Sequence, residues 1–121
     1  MFGGTSTALS PVGGYTGGGL NAPAAIAIDL NGNAWVANSG GSSVSQFSSS
    51  GSALSPAGGF TGGGLSAPGS ISIDGYGDVW LGNHGNSSVT ELNNSGAALS
   101  SVNGYTGAGV SNPIGIAVNR H

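Results

Sequence analysis

An internal period of 45 residues, apolar side chains alternating with small ones, and glycine or serine in every would-be helical window predict an all-β protein. The architecture they imply is a β-propeller built of four-stranded antiparallel blades. Laid against itself at an offset of 45, the chain brings Pro23, Pro68 and Pro113 together, and residues 23–67 and 68–112 share 21 of 45 identities. The matches include Ile26/Ile71, Ile28/Ile73, Asp29/Asp74, Gly32/Gly77, Trp35/Trp80, Asn38/Asn83 and Val44/Val89. A repeat of this length marks a unit that buries its face on its neighbour. Helical repeats are excluded, because glycine and serine would interrupt each turn.

Within the first unit four short strands are expected: Ala24–Asp29, Ala34–Asn38, Ser43–Phe47 and a fourth around Ala53–Ser55. Asp29-Leu-Asn-Gly32 and Asp74-Gly-Tyr-Gly77 are tight-turn signals between the first two strands of each unit. The first strand carries bulk on one face (Ile26 and Ile28, Ile71 and Ile73, Ile116 and Val118) and very small residues on the other (Ala25 and Ala27, Ser70 and Ser72, Gly115 and Ala117). That contrast suits tightly stacked sheets, each filling its neighbour's hollow, and makes this the innermost strand. Trp35 and Trp80 then belong to the core between blades rather than to a binding site. GGYTGGGL recurs as GGFTGGGL and NGYTGAGV, a return path from outer strand to next inner strand, anchored by Tyr15, Phe60 and Tyr105.

The chain is expected to hold about two complete blades plus partial ones. Residues 1–22 supply an outer strand (around Ala8–Pro11) and return loop, with Phe2 matching Phe47; 23–67 and 68–112 are blade repeats; 113–121 supply the inner strand Ile114–Asn119 of a partial blade.

Composition narrows the function. Charged residues make up 4%, the only cation is Arg120, and the formal net charge is −3, so neither nucleic acid nor an anionic membrane finds a basic surface. Without cysteine there is no disulfide and no thiolate metal site. No apolar run reaches the length of a membrane span, and the N-terminus lacks a signal-peptide pattern. The Ser/Asn/Gly/Thr-rich surface is of an extracellular or cell-surface kind.

Candidate chemical residues are few. His84 lies in the loop Asn83-His-Gly-Asn86, with Glu91 its one acidic companion of plausible reach; a solvated loop residue is the plainer reading. Asp29 and Asp74 recur at strand ends and could gather a hard cation around a channel, but an aspartate before x-x-Gly ordinarily caps its own turn. The third copy, Asn119, keeps the cap without the charge. The glycine-rich segments lack the Gly-Lys-Ser/Thr of a phosphate loop. No catalytic, cofactor-binding or metal-binding residue is assigned.

The pattern Pro-x-x-Ile-x-Ile-Asp-x-x-Gly-x-x-Trp-Val-x-Asn over 23–38, with Leu81 in place of Val over 68–83, and the later Val44 or Val89, resembles the NHL-repeat propellers. It is also similar to the streptogramin-lyase-like propellers. The lyase resemblance would imply a metal-assisted site of histidine and glutamate on one propeller face. This chain departs from that: Asn38 and Asn83 follow the Trp triplets where an acid would be needed, and Ser43 and Ser88 stand where family repeats often carry a basic residue.

The expected function is a non-catalytic propeller scaffold that needs no cofactor and assembles with copies of itself through exposed blade faces. The contact would run head-to-tail, with a dimer favoured over a trimer. A glycan- or peptide-binding propeller and a divergent lyase-like enzyme are the alternatives.

Overall fold

A computed structural model describes residues 9–106. Each repeat contributes one three-stranded antiparallel sheet. The first contains β1 (Pro23–Ile28), β2 (Ala34–Asn38) and β3 (Ser43–Phe47), the second β4 (Pro68–Ile73), β5 (Val79–Asn83) and β6 (Ser88–Leu92), each in sequence order. None of the described residues is helical.

The turns explain why the strands end where they do. Asp29 Oδ1 accepts the amide N–H of Asn31 (2.8 Å) and Asn33 (3.0 Å), bending the chain directly after β1. Asp74 does the same for Tyr76 and Asp78. β1 therefore stops at Ile28, one residue short of the expected Asp29, whose carboxylate caps the turn. Both first strands begin with a bulge after proline, between Pro23 and Ala25 and between Pro68 and Ser70.

The expected fourth strand does not form as a ladder. Ala53 makes an isolated bridge with Phe47, as Ala98 does with Leu92, and a second bridge joins Phe60 to Val44 and Tyr105 to Val89. Between these bridges the Ser55 side chain replaces a ladder bond, its Oγ accepting Gln46 N–H at 3.0 Å. The amides of Leu54 (2.7 Å) and Ser55 (3.3 Å) both donate to Gln46 O, and Pro56 then opens a turn closed by Gly59 N–H, so the segment bonds β3 at separate points without forming a continuous ladder. The outer strand expected at Ala8–Pro11 is likewise unformed over 9–11, where Pro11 instead accepts Gly14 N–H in a turn. Phe2 and the inner strand expected at Ile114–Asn119 lie outside the described residues.

Strand alternation decides the packing between sheets. The registers place Ala25, Ala27, Trp35, Ala37 and Val44 on one face of the first sheet, and Ile71, Ile73, Val79, Leu81 and Leu92 on one face of the second. These two faces meet in a single core, with β1 against β4. Bulky isoleucine thus fills the hollow above alanine, as the two-faced first strand predicts.

A buried polar spine runs through each sheet. Asn38 Nδ2 donates to Ser43 Oγ and Ser45 Oγ, its Oδ1 accepts Asn21 N–H, and Ser45 Oγ donates to Gly18 O at 2.7 Å. Asn83, Ser88, Thr90, Ser66 and Gly63 repeat the arrangement. The glycines of the return path let it close. Gly64 has φ +87, and a Cβ there would collide with the backbone of Gly104.

Candidate functional site

Two features stand apart from this frame: an apolar groove on the first sheet and an acidic cluster on the second. The groove lies on the outer face of the first sheet, whose register groups Ile26, Ile28, Val36 and Phe47. Val36 and Phe47 are buried at its floor, while Ile26 is 64% and Ile28 55% exposed. Tyr15 and Leu20 from the preceding return path also line it, and the open groove has a volume of about 820 Å³. Among its described lining residues the one titratable side chain is Tyr15, whose phenol donates to Leu9 O.

The acidic cluster is built on the β4–β5 turn and β6. Asp74, Asp78 and Glu91 each bring a carboxylate oxygen within 4.8 Å of the others. Glu91 pairs with Trp80 across the ladder and accepts the Tyr105 hydroxyl at 2.8 Å. Asp74 Oδ2 accepts the Trp80 indole N–H at 2.9 Å. Burial works against the Asp74 carboxylate, but the bonds from Trp80 and from the amides of the turn outweigh it and hold its pKa below the ordinary value. Glu91 is shifted the other way. Burial, together with repulsion from and hydrogen bonding to Asp78, raises its pKa despite the Tyr105 hydrogen bond. That hydrogen bond in turn raises the Tyr105 phenol, with burial and the negative field adding to it.

Three such oxygens could reach one hard cation. The Asp74 oxygens are nonetheless engaged with Trp80 and the turn amides and a Glu91 oxygen with Tyr105, and nothing independent marks an ion position. In the first sheet the corresponding residues are Asp29, Asn33, Gln46 and Phe60. The same scaffold there carries one acid instead of three and no phenol, so the cluster is an elaboration of one repeat.

The residues singled out in sequence fall into separate places. Asp29 and Asp74 cap their turns and also hold the tryptophans. Trp35 is fully buried against Phe60, ring centroids 5.7 Å apart, whereas the equivalent Trp80 beside Tyr105 is half-buried. Asn38 and Asn83 are fully buried structural residues of the polar spine. His84 is exposed in the β5–β6 loop, its amide donating to Ala67 O. Glu91 lies three positions beyond Ser88, the residue at that loop's edge, and joins Asp78, Asp74 and Tyr105 instead. Sequence reasoning did not find this cluster. Its signal was the departure of one repeat from the other at Asn33/Asp78 and Gln46/Glu91, not their identities.

No protein-family model matches this chain, and no curated protein matches it.

Proposed function

We propose that the chain is a non-catalytic β-propeller repeat scaffold that assembles with copies of itself through the faces of its sheets. The observation that carries this is one face seen in two environments. Ile73 of the second sheet is 1% exposed in the core, while its repeat counterpart Ile28 is 55% exposed in the groove. An apolar sheet face open to water is an association surface, and with so few charges little keeps copies apart. The 45-residue period, the bulk-on-hollow stacking and the bridges at Ala53 and Ala98 support four-stranded blades. The resemblance to NHL-repeat propellers supports a ring. Two copies are favoured over three, because four repeats and two joins come near the usual six positions of such a ring.

Light scattering across a dilution series tests this reading: the chain is expected to have the mass of a discrete oligomer, and a stable monomer at every concentration overturns it. A second reading, a glycan-binding module, is favoured by a small cleft of about 150 Å³, of mixed polar and apolar lining, where the two turns meet. Asn31 and Asn94 flank the exposed Tyr76 there. Saccharide titration monitored by Tyr76→Ala distinguishes it.

A further inference from the structure

Resting on that self-assembly, we infer that the contact is two-fold symmetric: the apolar groove of the first sheet docks on the same groove of a second copy. The patch is self-complementary in shape. Along one side runs a ridge, the exposed Ile26 and Ile28 of β1, and beside it lies a trough floored by the buried Val36 of β2 and Phe47 of β3. The Tyr15 ring, set against Gly51 of the turn after β3, walls the far side. A ridge and a trough side by side fit a copy of the same surface turned by half a rotation. The isoleucines of each copy enter the groove of about 820 Å³ on the other, giving the interdigitation that stacked sheet faces need. That a sheet covers such a face is seen inside the chain. At the equivalent positions of the second repeat, Ile71, Ile73, Leu81 and Leu92 are covered by the first sheet.

The head-to-tail contact expected from the sequence would need an open hollow at the opposite end of the two-sheet stack. There the register sets Ser70 beside Gly82 and Ser72 beside Trp80. Ser70 and Gly82 are buried, and Ser72 and Trp80 are only partly exposed, so that face offers isoleucine no seat. Charge separates the two ends as well. Tyr15 is the one ionisable side chain in the described lining of the groove, so the patch meets itself without setting like charges together. Asp74, Asp78 and Glu91 all lie on the second sheet, where the equivalent contact between copies would bring acids together. A two-fold contact uses each patch once, so this assembly stops at two copies.

The chain has no cysteine, so one introduced thiol reports the contact. Ile28→Cys is treated with a thiol-to-thiol cross-linker about 10 Å long, the spacing of packed sheets. A covalent dimer is expected from this single species, and none from Asn94→Cys on the exposed turn after β6. In sedimentation, Ile28→Asp should raise the dimer dissociation constant at least about tenfold, because each dimer buries the new charge twice. Circular dichroism checks that every variant keeps its strands, and Ile28→Ser replaces Ile28→Asp if the latter unfolds. An oligomer whose Ile28→Cys form gives no covalent dimer, or an assembly of three copies, overturns the two-fold contact and leaves self-assembly standing. Equal cross-linking at Ile28→Cys and Asn94→Cys reports collision and overturns it too. A parent chain that stays monomeric at every concentration defeats the self-assembly reading itself.

Discussion

The Trp35 indole N–H donates to Asp29 Oδ2 at 2.8 Å while the other oxygen of the same carboxylate closes the β1–β2 turn. One side chain thus fixes both a loop and the orientation of the largest buried ring. Asp29→Ala leaves a buried donor without an acceptor and the turn uncapped, and should cost about 2–3 kcal/mol. Asp29→Asn should cost less, since its carbonyl oxygen can still cap the turn while its amide cannot accept from the indole. Guanidinium unfolding at fixed protein concentration reads both, and equal stability of Asp29→Ala and the parent would refute the coupling.

The two tryptophans should differ in cost despite their equivalent positions. Trp35→Ala removes a ring sealed between two sheets, at about 3–5 kcal/mol. Trp80 is half-buried, so Trp80→Ala should cost roughly half as much. Indole fluorescence of the two single-tryptophan variants checks this, with Trp35 emitting further to the blue. The reverse order in either measurement contradicts the packing.

Glu91 supplies a pH test. Its folded pKa is raised above the ordinary glutamate value of 4.5, so the folded state binds that proton more tightly. Its contribution is fully present below the ordinary value and is lost as pH rises through the raised one. Glu91→Gln copies Gln46 of the sister repeat and removes this dependence. The variant should therefore melt above the parent at neutral pH and converge with it in acid. Asp74, whose pKa is lowered from 3.8, acts oppositely and still withdraws stability from both proteins as pH falls through its depressed value. Parallel melting curves for variant and parent at all pH values would show that Glu91 does not feel Asp78.

Much of the frame was legible because it depends on local chemistry repeated at a fixed interval. Ala34–Asn38 and Ser43–Phe47 form strands with the expected bounds, and the large and small faces of β1 and β4 pack as their alternation predicts. The fourth strand expected around Ala53–Ser55 is present only as an isolated bridge at Ala53 and backbone bonds from Leu54 and Ser55 to Gln46, because the Ser55 side-chain bond and the Pro56 turn interrupt the ladder. Asp29 was recognisable as a turn cap, while its second oxygen, held by a tryptophan six residues on, required the hairpin geometry. The acidic cluster was hidden because Asp78 and Glu91 are far apart in sequence and meet only through the β4–β5–β6 pairing.

The bulk-and-hollow junction between β1 and β4 also bears on how such a chain could lengthen. Each unit offers its successor the same kind of surface that it received from its predecessor, so no junction carries information about how many units precede it. A duplicated stretch of 45 residues would find its socket ready-made, and a lost one would leave its neighbours still compatible. In a closed ring of the proposed kind, unit number would follow from the angle between successive sheets rather than from the side chains of any single contact. Gain or loss of a unit would be a question of closure, with no new interface to evolve.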